Sequence, residues 1–147
     1  MGDQSFLMRF ESGDAARYSA DAVFGALVRC GFDIRVVHDD ESALELRATR
    51  RRVEWRITCH EPRATRDRTV MLFIQLRGDM NADDAAVLFE VCSNNRLVLH
   101  MPVPAVIVSD EIFATFPPDI GESVRVRDAG ELLFLLRNGP PKRAAVD

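Results

Sequence analysis

The chain has 147 residues, 47% apolar and 29% charged, with a formal net charge of −4. That balance is too apolar for a disordered chain, and the length suits one domain that buries roughly two-thirds of its unfolded surface without staples. Cys30, Cys59 and Cys92 are odd in number and widely spaced, which argues against a secreted disulfide framework and for a reducing compartment. The first ten residues carry no basic, apolar leader, and no apolar run approaches the roughly 18 residues of a membrane helix, so a cytoplasmic protein is expected.

Ser5 to Phe10 has Phe6, Met8 and Phe10 at alternate positions and reads as an edge strand. After the polar turn Ser12-Gly13-Asp14, a helix starts at Asp14 or Ser19 and runs to Cys30. Ser19 supplies an N-cap, Val23, Phe24, Leu27 and Val28 form an apolar face, and Gly31 stands where a helix closes in the left-handed conformation. Three strands are predicted next, at Phe32 to Val37, Leu44 to Ala48 and Val53 to Cys59. In the last, Val53, Trp55, Ile57 and Cys59 share one face and Glu54, Arg56 and Thr58 the other, the pattern of a half-buried antiparallel strand. His60 to Thr69 is a polar hairpin loop. Val70 to Leu76 is apolar on both faces and reads as a central strand covered on two sides.

Gly78 to Asn81 breaks the sheet, and Asn81 caps a second helix that runs through Cys92 and is ended by Ser93-Asn94-Asn95. It is apolar nearly all round, which predicts burial on two sides. Arg96 to Met101 and Ala105 to Val108 read as strands on either side of a Pro102-Val103-Pro104 bend. Ile112 to Phe116 reads as a further strand closed by Pro117-Pro118. Val124 to Arg127 leads to Asp128, which caps a last helix with Glu131 in the capping-box position. Residues 139–147 read as a disordered tail. The result is one α+β domain over residues 1–138, an antiparallel sheet with helices packed on it, in the order α-β-β-β-(β)-α-β-β-α.

Catalytic chemistry finds little footing. Cys59-His60-Glu61 looks like a nucleophile beside its base, but neighbours on a strand point to opposite faces, and Cys59 continues an apolar row. The cysteines and histidines lack the short spacings of zinc sites. The acid pairs Asp39-Asp40, Asp83-Asp84 and Asp110-Glu111 fall in turns and a helix start, where capping and solvation account for them. No nucleophile elbow, phosphate loop or dinucleotide fingerprint is present. Neither catalytic residue, metal nor cofactor is predicted.

Two surfaces point instead to partners. Between Arg47 and Arg68 stand eight arginines against three acids, within a chain of pI 5.4. Arg50, Arg51, Arg52, Arg63, Arg66 and Arg68 are the candidate partner-binding residues. An acidic protein suits this segment better than nucleic acid, whose binders carry domain-wide positive charge. The run Leu132 to Leu136 sweeps more than a full helical turn, and the second helix is similarly apolar. Leu88, Val91, Leu132, Leu133 and Leu136 are therefore the candidate homodimer contact. The alternatives are a small-molecule-binding domain or minor enzyme with a pocket between sheet and helices, and nucleic-acid binding through Arg50 to Arg68.

The order of elements, together with the apolar helix Asp84-Ala-Ala-Val-Leu-Phe-Glu-Val-Cys-Ser-Asn-Asn95 closing on an Asn-Arg step before Leu97-Val-Leu, resembles the fold shared by type III secretion chaperones and the YbjN-like sensory transduction regulators. The resemblance spans residues 15 to 138. It implies a small, dimerising, non-enzymatic regulator or chaperone-like adaptor that offers a surface to another protein, and it brings no catalytic residues with it.

Overall fold

The computed structural model describes residues 5–101 and 104–138. Along the chain come β1 (Ser5–Glu11), β2 (Asp14–Ala16), α1 (Ala20–Arg29), β3 (Asp33–Asp39), β4 (Leu44–Arg50), β5 (Val53–Cys59), β6 (Met71–Arg77), α2 (Ala82–Asn95), β7 (Leu97–His100), β8 (Ala105–Ile107), α3 (Asp110–Thr115), β9 (Ser123–Arg125) and α4 (Ala129–Asn138). The strands form one sheet in the order β3-β4-β5-β6-β1-β7-β8-β9, with β2 folded back on β1. Every described pairing between these strands is antiparallel except that of β8 with β9. The protein is thus α+β with a mostly antiparallel sheet.

Local chemistry sets the helix ends. The Ser19 side chain accepts the Ala22 N–H at the start of α1, and Gly31 follows its end at φ +94°. Asn81 and Asp84 satisfy each other's backbone N–H groups at the start of α2, and Arg96 in the left-handed conformation ends it. Before α4 the Asp128 carboxylate accepts the Glu131 N–H at 2.8 Å, while Glu131 reaches back to the Arg127 N–H at 2.6 Å.

One face of the sheet carries the main core. Leu7, Trp55, Ile57, Leu72, Ile74, Leu97 and Leu99 are all but inaccessible there, packed with Val23 and Leu27 of α1, Leu88 and Val91 of α2, and Leu132 and Leu135 of α4. α2 touches α1, α4 and β7, which cover Val87, Leu88, Val91 and Cys92 within one chain, while Asp83, Ala86, Glu90 and Ser93 form an exposed outer stripe, so the helix is less enclosed than its composition predicts. The opposite face holds a smaller cluster. Phe10, Val98, Ala105 and Ile107 lie under Ile112 of α3, with Met8 and Phe116 at its margin.

Several expectations are corrected. β1 is central, between β6 and β7, because it feeds both cores: Leu7 the main one and Phe10 the smaller one. Asp14–Ala16 is a strand, since Ser12 and Gly13 both take positive φ (51° and 86°) and make a two-residue turn, leaving Ser19 as the helix start. The predicted strand at Ile112 to Phe116 is helix α3, because Ser109 accepts the Ile112 N–H and Asp110 and Glu111 occupy the first turn; capping overrides the alternation. β3 is an edge strand whose Val36 is 63% exposed, and Val28 on α1 is exposed as well, so the helix layer stops short of that edge. β6 is central but buries only its Leu72 and Ile74 face; Met71, Phe73 and Gln75 are half-buried on the other. The order of elements therefore departs from the predicted one by opening with two strands and placing α3 between β8 and β9. The tail at 139–147 and the Pro102–Val103 part of the predicted bend lie outside the described residues.

Candidate interaction surface

The six arginines singled out in the sequence fall at opposite ends of the β4–β5 hairpin. Arg50, Arg51 and Arg52 sit at its turn, and Arg63, Arg66 and Arg68 lie in a 3-10 segment (Arg63–Arg68) beyond the end of β5. A seven-residue strand separates the groups by about 20 Å, so they do not form one rim. Most are also occupied. Arg50 is largely buried, 3.8 Å from Asp84 and over the Phe32 ring at 5.7 Å. Arg51 lies 3.9 Å from Asp83. Arg63 binds Glu41 at 2.8 Å and Asp39 at 3.1 Å; Arg66 binds Asp39 at 2.7 Å and donates to the Asp40 carbonyl. These two guanidiniums hold the Asp39 carboxyl below its ordinary pKa and clamp the loop to the β3–β4 turn. The Arg68 carbonyl accepts from Arg17 at 2.8 Å.

The dimer candidates divide too. Leu88, Val91 and Leu132 are core residues at 1%, 2% and 1% exposure, while Leu133 and Leu136 are half-buried. Phe134, between them, is 66% exposed. Cys59 is buried with its Sγ 3.7 Å from the Thr69 hydroxyl, whereas His60 is exposed and packs edge-on against Phe73, so the two do not pair. Burial pushes the Cys92 thiol up to about 12. Among the described residues, no three His, Cys, Asp or Glu side chains cluster as metal ligands. Asp84, expected to be solvated, is buried as the reciprocal cap of α2.

What the register does assemble lies on the sheet face away from α1, α2 and α4. Arg35 stands opposite Arg47, Arg47 opposite Arg56, and Arg56 opposite Gln75, a row across β3, β4, β5 and β6. The next row runs His38, Glu45, Thr58, Phe73, Phe6, His100. Phe6 and Phe73 are half-buried with ring centroids 6.0 Å apart. One carboxylate, Glu54, lies 3.2 Å from Arg47 and 3.4 Å from Arg56; Glu45 is 3.6 Å from Arg56 and Asp33 3.2 Å from Arg35. α3 closes this face over β7 and β8, and the described residues leave β3 to β6 uncovered.

Comparison with protein-family models, curated proteins and solved structures finds no match for the chain.

Proposed function

We propose that the protein is a non-enzymatic protein–protein interaction module, a regulator or chaperone-like adaptor that presents the open sheet face to another protein. The observation that carries this is the pair of adjacent rows, Arg35–Arg47–Arg56 and Phe73–Phe6, held on rigid strands and left uncovered by the described residues. Arginine and aromatic side chains are the types enriched at the energetic centres of protein interfaces. The same role is what the resemblance to type III secretion chaperones and YbjN-like regulators implies, and a cytoplasmic setting goes with it. Among the described residues, no helix is long and apolar enough to cross a membrane. Self-association would use the outer face of α4 at Phe134, Leu133 and Leu136, because Leu88, Val91 and Leu132 are taken up by the chain's own core.

The test is affinity capture with the immobilised protein and a Phe6→Ser/Phe73→Ser variant. Emission from Trp55, buried in the main core, reports whether the variant is folded. The wild type should retain a defined set of proteins from native lysate that the folded variant loses. Retention of the same set by both, or of none by either, overturns the proposal.

A further inference from the structure

We infer that the protein is a two-fold homodimer in which Phe134 of each copy fills a groove between α4 and β9 of the other. This gives a definite form to the self-association assigned above to α4. It rests on that assignment and not on the open face, which lies across the sheet. Phe134 is the most exposed of the large apolar side chains among the described residues, at 66%. Beside it, Val124, Arg125, Val126, Glu131 and Leu135 line a groove of about 210 Å³, with Phe134 itself as one wall. An apolar cavity of about 150 Å³ holds benzene, so a second phenyl ring fits. Knob and groove therefore stand side by side on one surface. A contact made by the same patch on both copies closes as a dimer, whereas a knob far from its groove would propagate into a chain. A second copy is also the occupant that covers both Phe134 side chains at once.

Charge selects the second copy and its direction. Glu131 and Arg137 stand three residues before and after Phe134, on the exposed stripe of the same helix. An antiparallel pair of α4 helices crossing at Phe134 brings each Glu131 level with Arg137 of the second copy. A parallel pair would set like charges together. Both groups have capacity for a new partner. Glu131 uses Oε1 for the Arg127 N–H at 2.6 Å, which leaves Oε2. Arg137 donates from Nη2 to the Met80 carbonyl at 2.6 Å and has no acid in ion-pair range among the described residues. Two such ion pairs flank the paired rings, one at each end of the contact. α4 packs on the core side of the sheet, so the dimer leaves both open faces uncovered and presents two of them to one partner, which raises avidity.

Sedimentation equilibrium over a wide dilution range tests this, with circular dichroism to report folding. The wild type should be a dimer. Glu131→Lys and Arg137→Glu should each weaken it by about tenfold or more, because each sets like charges together twice. Mixing the two variants should restore a dimer with one chain of each, since every facing pair is then of opposite charge. Phe113→Asp, at an exposed position on α3 across the sheet, is the control and should leave the dimer intact. Arg137→Glu does not touch the cap at the start of α4, so it keeps the test decisive if Glu131→Lys folds poorly. A wild-type monomer at every concentration, or folded variants that do not combine, overturns the inference. A dimer lost in Phe134→Asp but indifferent to Arg137→Glu overturns this pairing while α4 remains the face of self-association. Lysate partners retained by a protein that is monomeric throughout overturn the dimer and leave the interaction role standing.

Discussion

The imidazole of His100 lies parallel to the Phe6 ring, with centroids 4.7 Å apart and planes 8° apart, and its Nε2 is buried without a hydrogen-bond partner among the described residues. Phe10 and Phe116 complete the enclosure at 5.8 and 6.0 Å, which joins α3 to the sheet through an apolar seat containing one titratable group.

That arrangement predicts how stability depends on pH. Burial alone lowers the His100 pKa, so the folded chain binds the imidazole proton less readily than the unfolded chain does. Above the ordinary value of about 6.5 both states are neutral and the contribution to stability is complete. As pH falls below it, the unfolded state takes up the proton first and stability declines, levelling off once the folded state is protonated too. Asp39, Asp40 and Asp110 are held low by arginine and hydrogen-bonding partners, but they act below about 3.8, clear of this window. Urea melts stepped from about pH 7.5 to 5 should show a falling midpoint, and His100→Phe should flatten much of the slope. An identical slope in the variant would assign the effect elsewhere.

Gly78 makes a sharper prediction. It ends β6 at φ +97°, and a Cβ there would sit 2.2 Å from the Arg52 carbonyl oxygen in the β4–β5 turn. Gly31 has nearly the same φ, +94°, with nothing within 4 Å. Alanine at Gly31 therefore meets only the left-handed strain, about 1 kcal/mol, whereas at Gly78 it adds a backbone clash and should cost about 2 kcal/mol or more. Chemical denaturation of both variants measures the difference. Equal losses would mean the two turns are not in contact.

How much of this was legible beforehand follows from the range of each signal. Ser19, Asn81 and Asp128 mark their helix starts because a cap is a local hydrogen bond. The Val53–Cys59 face was readable because alternation is local too. The place of β1 was not, since a strand is central or at an edge only by virtue of distant partners, here β6 and β7. The arginine row is intermediate. The turn at Arg51-Arg52 fixes the pairing of Arg47 with Arg56, so that step could have been drawn from the sequence. Adding Arg35 requires the irregularity between Val36 and His38, which shifts the β3 register and leaves no mark in the residue pattern. Charge density along the chain drew attention to Arg50 to Arg68 instead, although the Asp39 contacts that occupy Arg63 and Arg66 come from 24 and 27 residues away.

The last prediction separates core from surface on the two apolar helices. Leu88 and Leu132 are each 1% exposed inside the single chain, so Leu88→Asp or Leu132→Asp buries an unpaired charge and should prevent folding. Phe134, 66% exposed, has no such constraint, and Phe134→Asp should stay within about 0.5 kcal/mol of the wild type. Circular dichroism and Trp55 emission distinguish the two outcomes, and a folded Leu88→Asp protein would contradict the placement of α2 between sheet, α1 and α4. The same variants locate any self-association. A lasting dimer buries at least about 1,000 Å² in total, and on these helices the outer face of α4 is where large apolar side chains remain accessible for it. Light scattering on size-exclusion fractions over a wide dilution range should then find Phe134→Asp folded and monomeric. A dimer that survives that change would have its contact away from α4.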